Sequence, residues 1–115
     1  MDELYLADAD GCDGAPAADG FFRIAAATPK IRVADVEGNA RAVFACVQAA
    51  HAAGAGALVL PELCLTGYTC GDLFQNRTLV AACERALAWL LDETRELPLL
   101  FTVGLPVATG GALYN

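Results

Sequence analysis

Hydrophobic and polar positions change their spacing several times along this chain, and each change marks an element. Phe22, Ile24 and Ala26 alternate with Phe21, Arg23 and Ala25, the two-residue period of a short strand, which Thr28-Pro29 ends. Val33 to Asn39 reads as a connection, with Asn39 placed to cap the next element. Ala40, Val43, Phe44, Val47 and Ala50 then recur at three- and four-residue steps, forming one apolar stripe of a helix that Gly54 and Gly56 stop. Ala57-Leu58-Val59-Leu60 is a continuous apolar run, the pattern of a strand covered on both faces, and Pro61 ends it. Residues 61–76 are loop-like. A second helix is predicted from about Thr78 to Arg95, with Leu79, Cys83, Ala86, Leu87, Leu90 and Leu91 on one face. Leu99 to Val103 reads as a third strand, Gly104 and Pro106 bend the chain, Gly110-Gly111 makes a turn, and Ala112-Leu113-Tyr114 starts another strand.

Strands alternating with helices imply an α/β fold with parallel pairing. Such sheets carry their functional groups at the carboxyl ends of the strands, and Pro61 to Asp72 lies at one of these ends. Residues 1–20 show no period and carry several glycines, so they are predicted to be a disordered tail in front of a body that runs from 21 to 115.

Charge sharpens this division. The chain's formal charge is −7 over 115 residues. Asp2, Glu3, Asp8, Asp10, Asp13 and Asp19 fall in the tail with no base among them, while the body holds 8 acids against 7 bases. A near-neutral body with no basic face argues against a nucleic-acid partner. No apolar run approaches the roughly 18 residues that a membrane span needs, and the acidic start does not resemble a secretory signal, so a soluble cytoplasmic protein is expected. The five cysteines (Cys12, Cys46, Cys64, Cys70 and Cys83) include no C-x-x-C pair, and His51 is the single histidine. A zinc site, a disulfide framework and a Ser-His-Asp triad therefore have little to build on. No metal ligands and no cofactor-binding residues are predicted in these residues, and no phosphate-binding glycine motif is present.

The stretch Leu58-Val-Leu-Pro-Glu-Leu-Cys-Leu-Thr-Gly-Tyr68 is the richest in chemistry. Proline fixes the backbone just before Glu62, so its carboxylate leaves the strand end in a defined direction. Apolar neighbours would desolvate it and tune it toward proton transfer near neutral pH. The residues alone leave open whether Glu62 is a base or a loop carboxylate paired with a surface arginine. Tyr68 is read as packing under the loop with some contact to a substrate pocket, and Asp72 as ordering a turn or touching substrate. Cys70 is read as a loop thiol rather than a nucleophile.

This stretch resembles the first catalytic signature of the carbon–nitrogen hydrolase (nitrilase) superfamily. The strand at Phe22–Pro29, the helix from Asn39 to Gly54, Val103-Gly-Leu-Pro106 and Leu113-Tyr-Asn115 resemble the family's flanking elements in the right order. Within the superfamily, Thr66-Gly-Tyr-Thr-Cys-Gly-Asp-Leu-Phe74 and Arg23 to Asp35 look most like the glutaminase domain of bacterial glutamine-dependent NAD synthetases.

The resemblance implies the N-terminal portion of a four-layer α-β-β-α sandwich and a Glu-Lys-Cys triad. Glu62 matches the general base, which takes the proton of a cysteine thiol before that sulfur attacks the amide of glutamine. It also implies a following synthetase domain, in which ATP and magnesium support amidation of deamido-NAD by the released ammonia, and a homo-oligomeric full-length protein. The family's lysine and nucleophilic cysteine would lie beyond Leu113-Tyr-Asn115, where this sequence stops, so an N-terminal fragment without glutaminase activity of its own is expected. Asn115 is read as orienting the catalytic region. Another superfamily amidase acting on small amides, or a non-catalytic association module keeping the fold, are the alternatives.

Overall fold

The computed structural model describes residues 3–6, 20 and 22–115. Four strands form one sheet in the order β1-β2-β3-β4: β1 (Glu3–Leu6), β2 (Ile24–Thr28), β3 (Ala57–Val59) and β4 (Leu100–Phe101). β2, β3 and β4 are parallel, with Ala25 opposite Leu58 and Leu58 opposite Phe101. β1 pairs antiparallel with β2, Glu3 opposite Thr28 and Leu6 opposite Ala25. α1 (Val36–Ala52) and α2 (Arg77–Thr94) make the crossovers and pack against each other. β5 (Val107–Thr109) and β6 (Ala112–Tyr114) form a separate antiparallel hairpin around Gly110-Gly111.

The β-α-β-α-β order predicted from spacing is therefore present. Three features differ. The acidic stretch read as a tail contributes β1, an edge strand whose four residues are too few to announce a period beside so many acids and glycines. Of the rest of that stretch, residues 1–2 and 7–19 lie outside the described residues. The third strand is shorter than Leu99–Val103, because only Leu100 and Phe101 keep the ladder with β3 before Thr102 turns its hydroxyl to another task. And α1 starts earlier than an Asn39 cap would allow. Asp35 is the cap, its carboxylate accepting from Gly38 N at 3.1 Å, which satisfies one of the free amides of the first turn.

Helix boundaries follow from similar local bonds. Asn76 caps α2 by accepting from Thr78 N at 2.8 Å. Arg23, just before β2, donates through Nη1 to the carbonyl of Ala53 at 2.5 Å, placing a cation at the carboxyl end of α1.

The core lies between one face of the sheet and the two helices. Ala25, Ala27 and Leu58 point into it, met by Val43, Val47 and Ala50 of α1 and Leu79, Cys83 and Leu90 of α2. The small side chains of Ala25 and Ala27 on β2 let α1 sit close to the sheet. Trp89 meets Phe44 edge to face, ring centres 5.5 Å apart, and so joins the two helices at the rim of the core.

The other face of the sheet is bare among the described residues. Ile24 is 49% exposed, Val59 50% and Leu100 74%. β3 is thus covered on one face only, where its unbroken apolar run predicted two. Leu91 is likewise exposed rather than on the packed face of α2, because the 18-residue helix turns it past the stripe that meets α1. No helix among the described residues is long and apolar enough to cross a membrane.

Candidate active site

Glu62 stands at the carboxyl end of β3, where parallel sheets present their chemistry. The strand end is held by Thr102, whose backbone N–H donates to Leu58 O at 3.1 Å and whose hydroxyl accepts from Leu60 N at 3.2 Å. That hydroxyl takes the place that the Thr102 carbonyl would hold had the parallel ladder continued.

The chain then reverses at Leu63, which adopts a left-handed φ of 52°. A non-glycine residue there costs of order 1–2 kcal/mol unless its surroundings enforce it. The surroundings do. The Leu63 carbonyl accepts from Thr66 N at 3.1 Å and Gly67 N at 2.8 Å, closing a tight loop. Inside the loop Cys64, Leu65 and Thr66 are buried, so three consecutive side chains anchor it to the core while Glu62 stays outside.

Two neighbouring segments clamp this loop. On one side, Asn39 is buried at 1% exposure and gives its amide to the carbonyls of Arg32 (2.7 Å) and Leu65 (3.0 Å) while accepting from Arg32 N at 2.8 Å. Asn39 is thus a bracket between the connection after β2 and the Glu62 loop, in addition to being part of α1. Ala34 N donates to Thr66 O at 2.9 Å beside it. On the other side, Gly104 O accepts from Leu65 N at 3.1 Å and from the Cys64 thiol at 3.7 Å. Gly104 lies so close that a Cβ there would sit 2.2 Å from Leu63 N and 2.8 Å from the carbonyl carbon of Glu62.

The Glu62 carboxylate itself is exposed, and Oε1 accepts a hydrogen bond from the side-chain amide of Asn115. The desolvation expected from its apolar sequence neighbours is absent here, because Leu60, Cys64 and Leu65 turn into the core instead of surrounding it.

The remaining residues singled out from sequence fall in different places. Tyr68 is exposed at the start of a 3-10 segment, Tyr68–Gln75, directly after Gly67, and Asp72 is exposed further along it. Cys70 is buried, with its thiol donating to Thr66 O at 3.3 Å, so it faces the loop's interior rather than solvent. Burial raises the Cys64 thiol above its ordinary pKa, partly offset by the hydrogen bond to Gly104, which keeps it protonated and unreactive at neutral pH. Both side chains are buried, so neither is presented to solvent as a nucleophile. Among the described residues no cluster of three His, Cys, Asp or Glu side chains could hold a metal ion. Sequence reading missed the parts played by Asn39, Thr102 and Gly104, whose only signal is a small or amide side chain at a bend or a helix start.

The sequence model of the carbon–nitrogen hydrolase family matches residues 23–115. This chain belongs to the carbon–nitrogen hydrolase family. Among curated relatives of this carbon–nitrogen hydrolase chain, the glutamine-dependent NAD(+) synthetase of Mycobacterium tuberculosis H37Rv is 36% identical over 96 residues, covering 84% of the chain and 14% of the relative. The glutamine-dependent NAD(+) synthetase of Xylella fastidiosa 9a5c is 33% identical over 96 residues, covering 83% of the chain and 17% of the relative. The crystal structure of a glutamine-dependent NAD(+) synthetase from Cytophaga hutchinsonii superposes with a TM-score of 0.75 at 29% identity, over 82% of this chain and 16% of that one. The family and the α/β fold expected from the sequence are both present. The chain spans 14% to 17% of the length of these relatives.

Proposed function

We propose that this chain forms part of the glutamine-hydrolysing site of a glutamine-dependent NAD synthetase, with Glu62 as general base. One observation carries the proposal: a carboxylate at the carboxyl end of a parallel strand, on a loop clamped from both sides, in a chain whose relatives are glutamine-dependent NAD(+) synthetases. The clamps fix the backbone, and the side chain stays accessible for proton transfer.

In this reading Glu62 takes the proton of a cysteine thiol supplied from outside residues 1–115. The thiolate adds to the side-chain amide carbon of glutamine, and a lysine stabilises the oxyanion. The carbon–nitrogen bond then breaks, the proton passes from Glu62 to the leaving nitrogen, and ammonia departs from a thioester that water hydrolyses. The ammonia amidates deamido-NAD in an ATP- and magnesium-dependent step elsewhere in the full-length protein, which assembles as a homo-oligomer. Tyr68, exposed after Gly67, lines the glutamine pocket. Residues 1–115 alone, which contain neither that lysine nor that cysteine, hydrolyse no glutamine.

The test uses the full-length gene product. Glu62→Gln should lower glutamine-driven NAD formation by roughly 10²- to 10⁴-fold, the usual contribution of a general base, while free ammonia still supports the reaction. Equal loss with both nitrogen sources would show that Glu62 is not a dedicated base. Hydrolysis of small amides without any NAD formation would assign the chain to another amidase of the family.

A further inference from the structure

The β5–β6 hairpin takes no part in the main sheet, yet its end returns to Glu62. The chain enters the hairpin just after Gly104, whose backbone is pressed against Glu62 and Leu63. Pro106 follows and is fully buried, so the hairpin departs from a fixed point. Its register pairs Val107 with Tyr114, which brings the next residue, Asn115, back level with Pro106. The Asn115 amide nitrogen there donates to Glu62 Oε1. Toward a carboxylate acceptor, an asparagine side chain can present only its NH₂ group as donor, which fits the observed orientation of the amide.

We propose that Asn115 is a positioning residue for Glu62, holding Oε1 so that Oε2 is turned toward the thiol whose proton it removes. The proposal rests on the reading of Glu62 as base. A glutamate loses rotamer freedom when it is fixed, and an exposed one samples many directions. Proton transfer needs the acceptor within hydrogen-bond reach of the donor. A neutral amide fixes the direction and leaves the negative charge in place, whereas a lysine or arginine at that position would form an ion pair competing for the same lone pairs. An amide also cannot itself take the thiol's proton. The loop clamps fix the Glu62 backbone, and Asn115 completes the task for the side chain.

The experiment uses the full-length gene product with Asn115→Asp, Asn115→Ala and Asn115→Gln. The aspartate keeps the shape and loses the donor, and the glutamine keeps the donor on a longer arm. Glutamine hydrolysis is followed as kcat and KM separately, beside ammonia-driven NAD formation and thermal melting. The expected result is a fall in kcat of about ten- to hundredfold for the aspartate and alanine variants, in line with loss of one hydrogen bond to a charged group. KM for glutamine, the ammonia-driven rate and the melting temperature stay near wild type, and the glutamine variant recovers part of kcat. Wild-type kcat in the aspartate and alanine variants overturns the proposal alone. A lowered melting temperature with equal loss from both nitrogen sources overturns it in favour of a structural role. A wild-type protein that hydrolyses no glutamine overturns the reading of Glu62 and this proposal with it.

Discussion

Replacing Gly104 by alanine would place a methyl group 2.2 Å from Leu63 N, 2.8 Å from the carbonyl carbon of Glu62 and 2.9 Å from Pro61 O. Non-bonded heavy atoms settle at about 3.5–4.0 Å, so the two backbones must part by roughly 1 Å. All three obstructing atoms are main chain, and no side chain can swing aside to make room. The displaced loop is the one that carries Glu62, and Gly104 O also holds that loop through Leu65 N. Overpacking of this kind costs about 1–3 kcal/mol, and a misplacement near 1 Å costs about 10²-fold in rate. On the function proposed above, Gly104→Ala in the full-length gene product should therefore lower glutamine-driven NAD formation about a hundredfold while the ammonia-driven rate stays within about twofold. Gly54→Ala is the control. Gly54 has φ 75°, so alanine is strained there by about 1–2 kcal/mol, but its Cβ would meet only the tip of Arg23, at 3.4 Å, on the amino-terminal side of β3, whereas Glu62 lies beyond its carboxyl end. It should destabilise without separating the two nitrogen sources. A wild-type glutamine-driven rate for Gly104→Ala would refute the idea that this close backbone approach sets the position of Glu62.

Asn39→Ala should destabilise a dilute solution of residues 1–115 by about 2–4 kcal/mol, since the buried carbonyl of Leu65 and the backbone N–H and carbonyl of Arg32 lose their partner. Urea unfolding followed by the emission of Trp89, the chain's one tryptophan, measures this, and a loss below about 0.5 kcal/mol would contradict the bracket role. Burial, reinforced by the charges of Cys70 and Glu84, raises the Cys83 thiol from an ordinary value near 9 to about 11. The unfolded thiol therefore releases its proton first, and stability should fall as pH rises from about 9 to 11; Cys83→Ala should flatten that fall, and an identical pH dependence in both proteins would sink the assignment. Val59→Thr with Leu100→Thr should reduce self-association of residues 1–115 in light scattering, because both side chains lie on the bare face of the sheet; unchanged scattering would show that this face is not the adhesive surface.

Much of the architecture was legible because it depends on local spacing. The stripe Ala40, Val43, Val47 and Ala50 repeats at helical steps, and all four are buried in α1. The run ending at Pro61 gave β3, and Gly110-Gly111 gave the hairpin turn. The face assignment was less legible. An unbroken apolar run such as Ala57–Leu60 shows that a strand is apolar on both sides, but not which sides are covered by the residues at hand. β2 makes the same point from the opposite direction: its small Ala25 and Ala27 face the helices, and its bulky Ile24 faces outward with Ala26. Hydrophobicity alone would order them the other way, and the deciding quantity is the space between α1 and the sheet.

The carboxylate was legible as a candidate because proline and an apolar run surround it, but the means of holding it were not. Each support joins residues far apart in sequence through main-chain atoms: Asn39 with Leu65, Thr102 with Leu58 and Leu60, Gly104 with Leu63. Main-chain partners leave no residue preference at their own positions, so half of every such contact is invisible in a single sequence. The visible halves are an asparagine, a threonine and a glycine, residue types that helix starts and bends use routinely. They become informative only once the topology brings three segments to the same strand end. The positive φ of Leu63 belongs to the same class: leucine has no preference for that conformation, and it is held there because the loop's interior residues are buried and its carbonyl binds two amides. The position of Glu62 is therefore a property of the assembled loop cluster, and its identity as an acid is a property of the sequence. On the proposed role of Glu62 as base, substitutions at the two kinds of residue should separate accordingly, those at Glu62 removing the chemistry and those at Gly104 or Asn39 moving or loosening it.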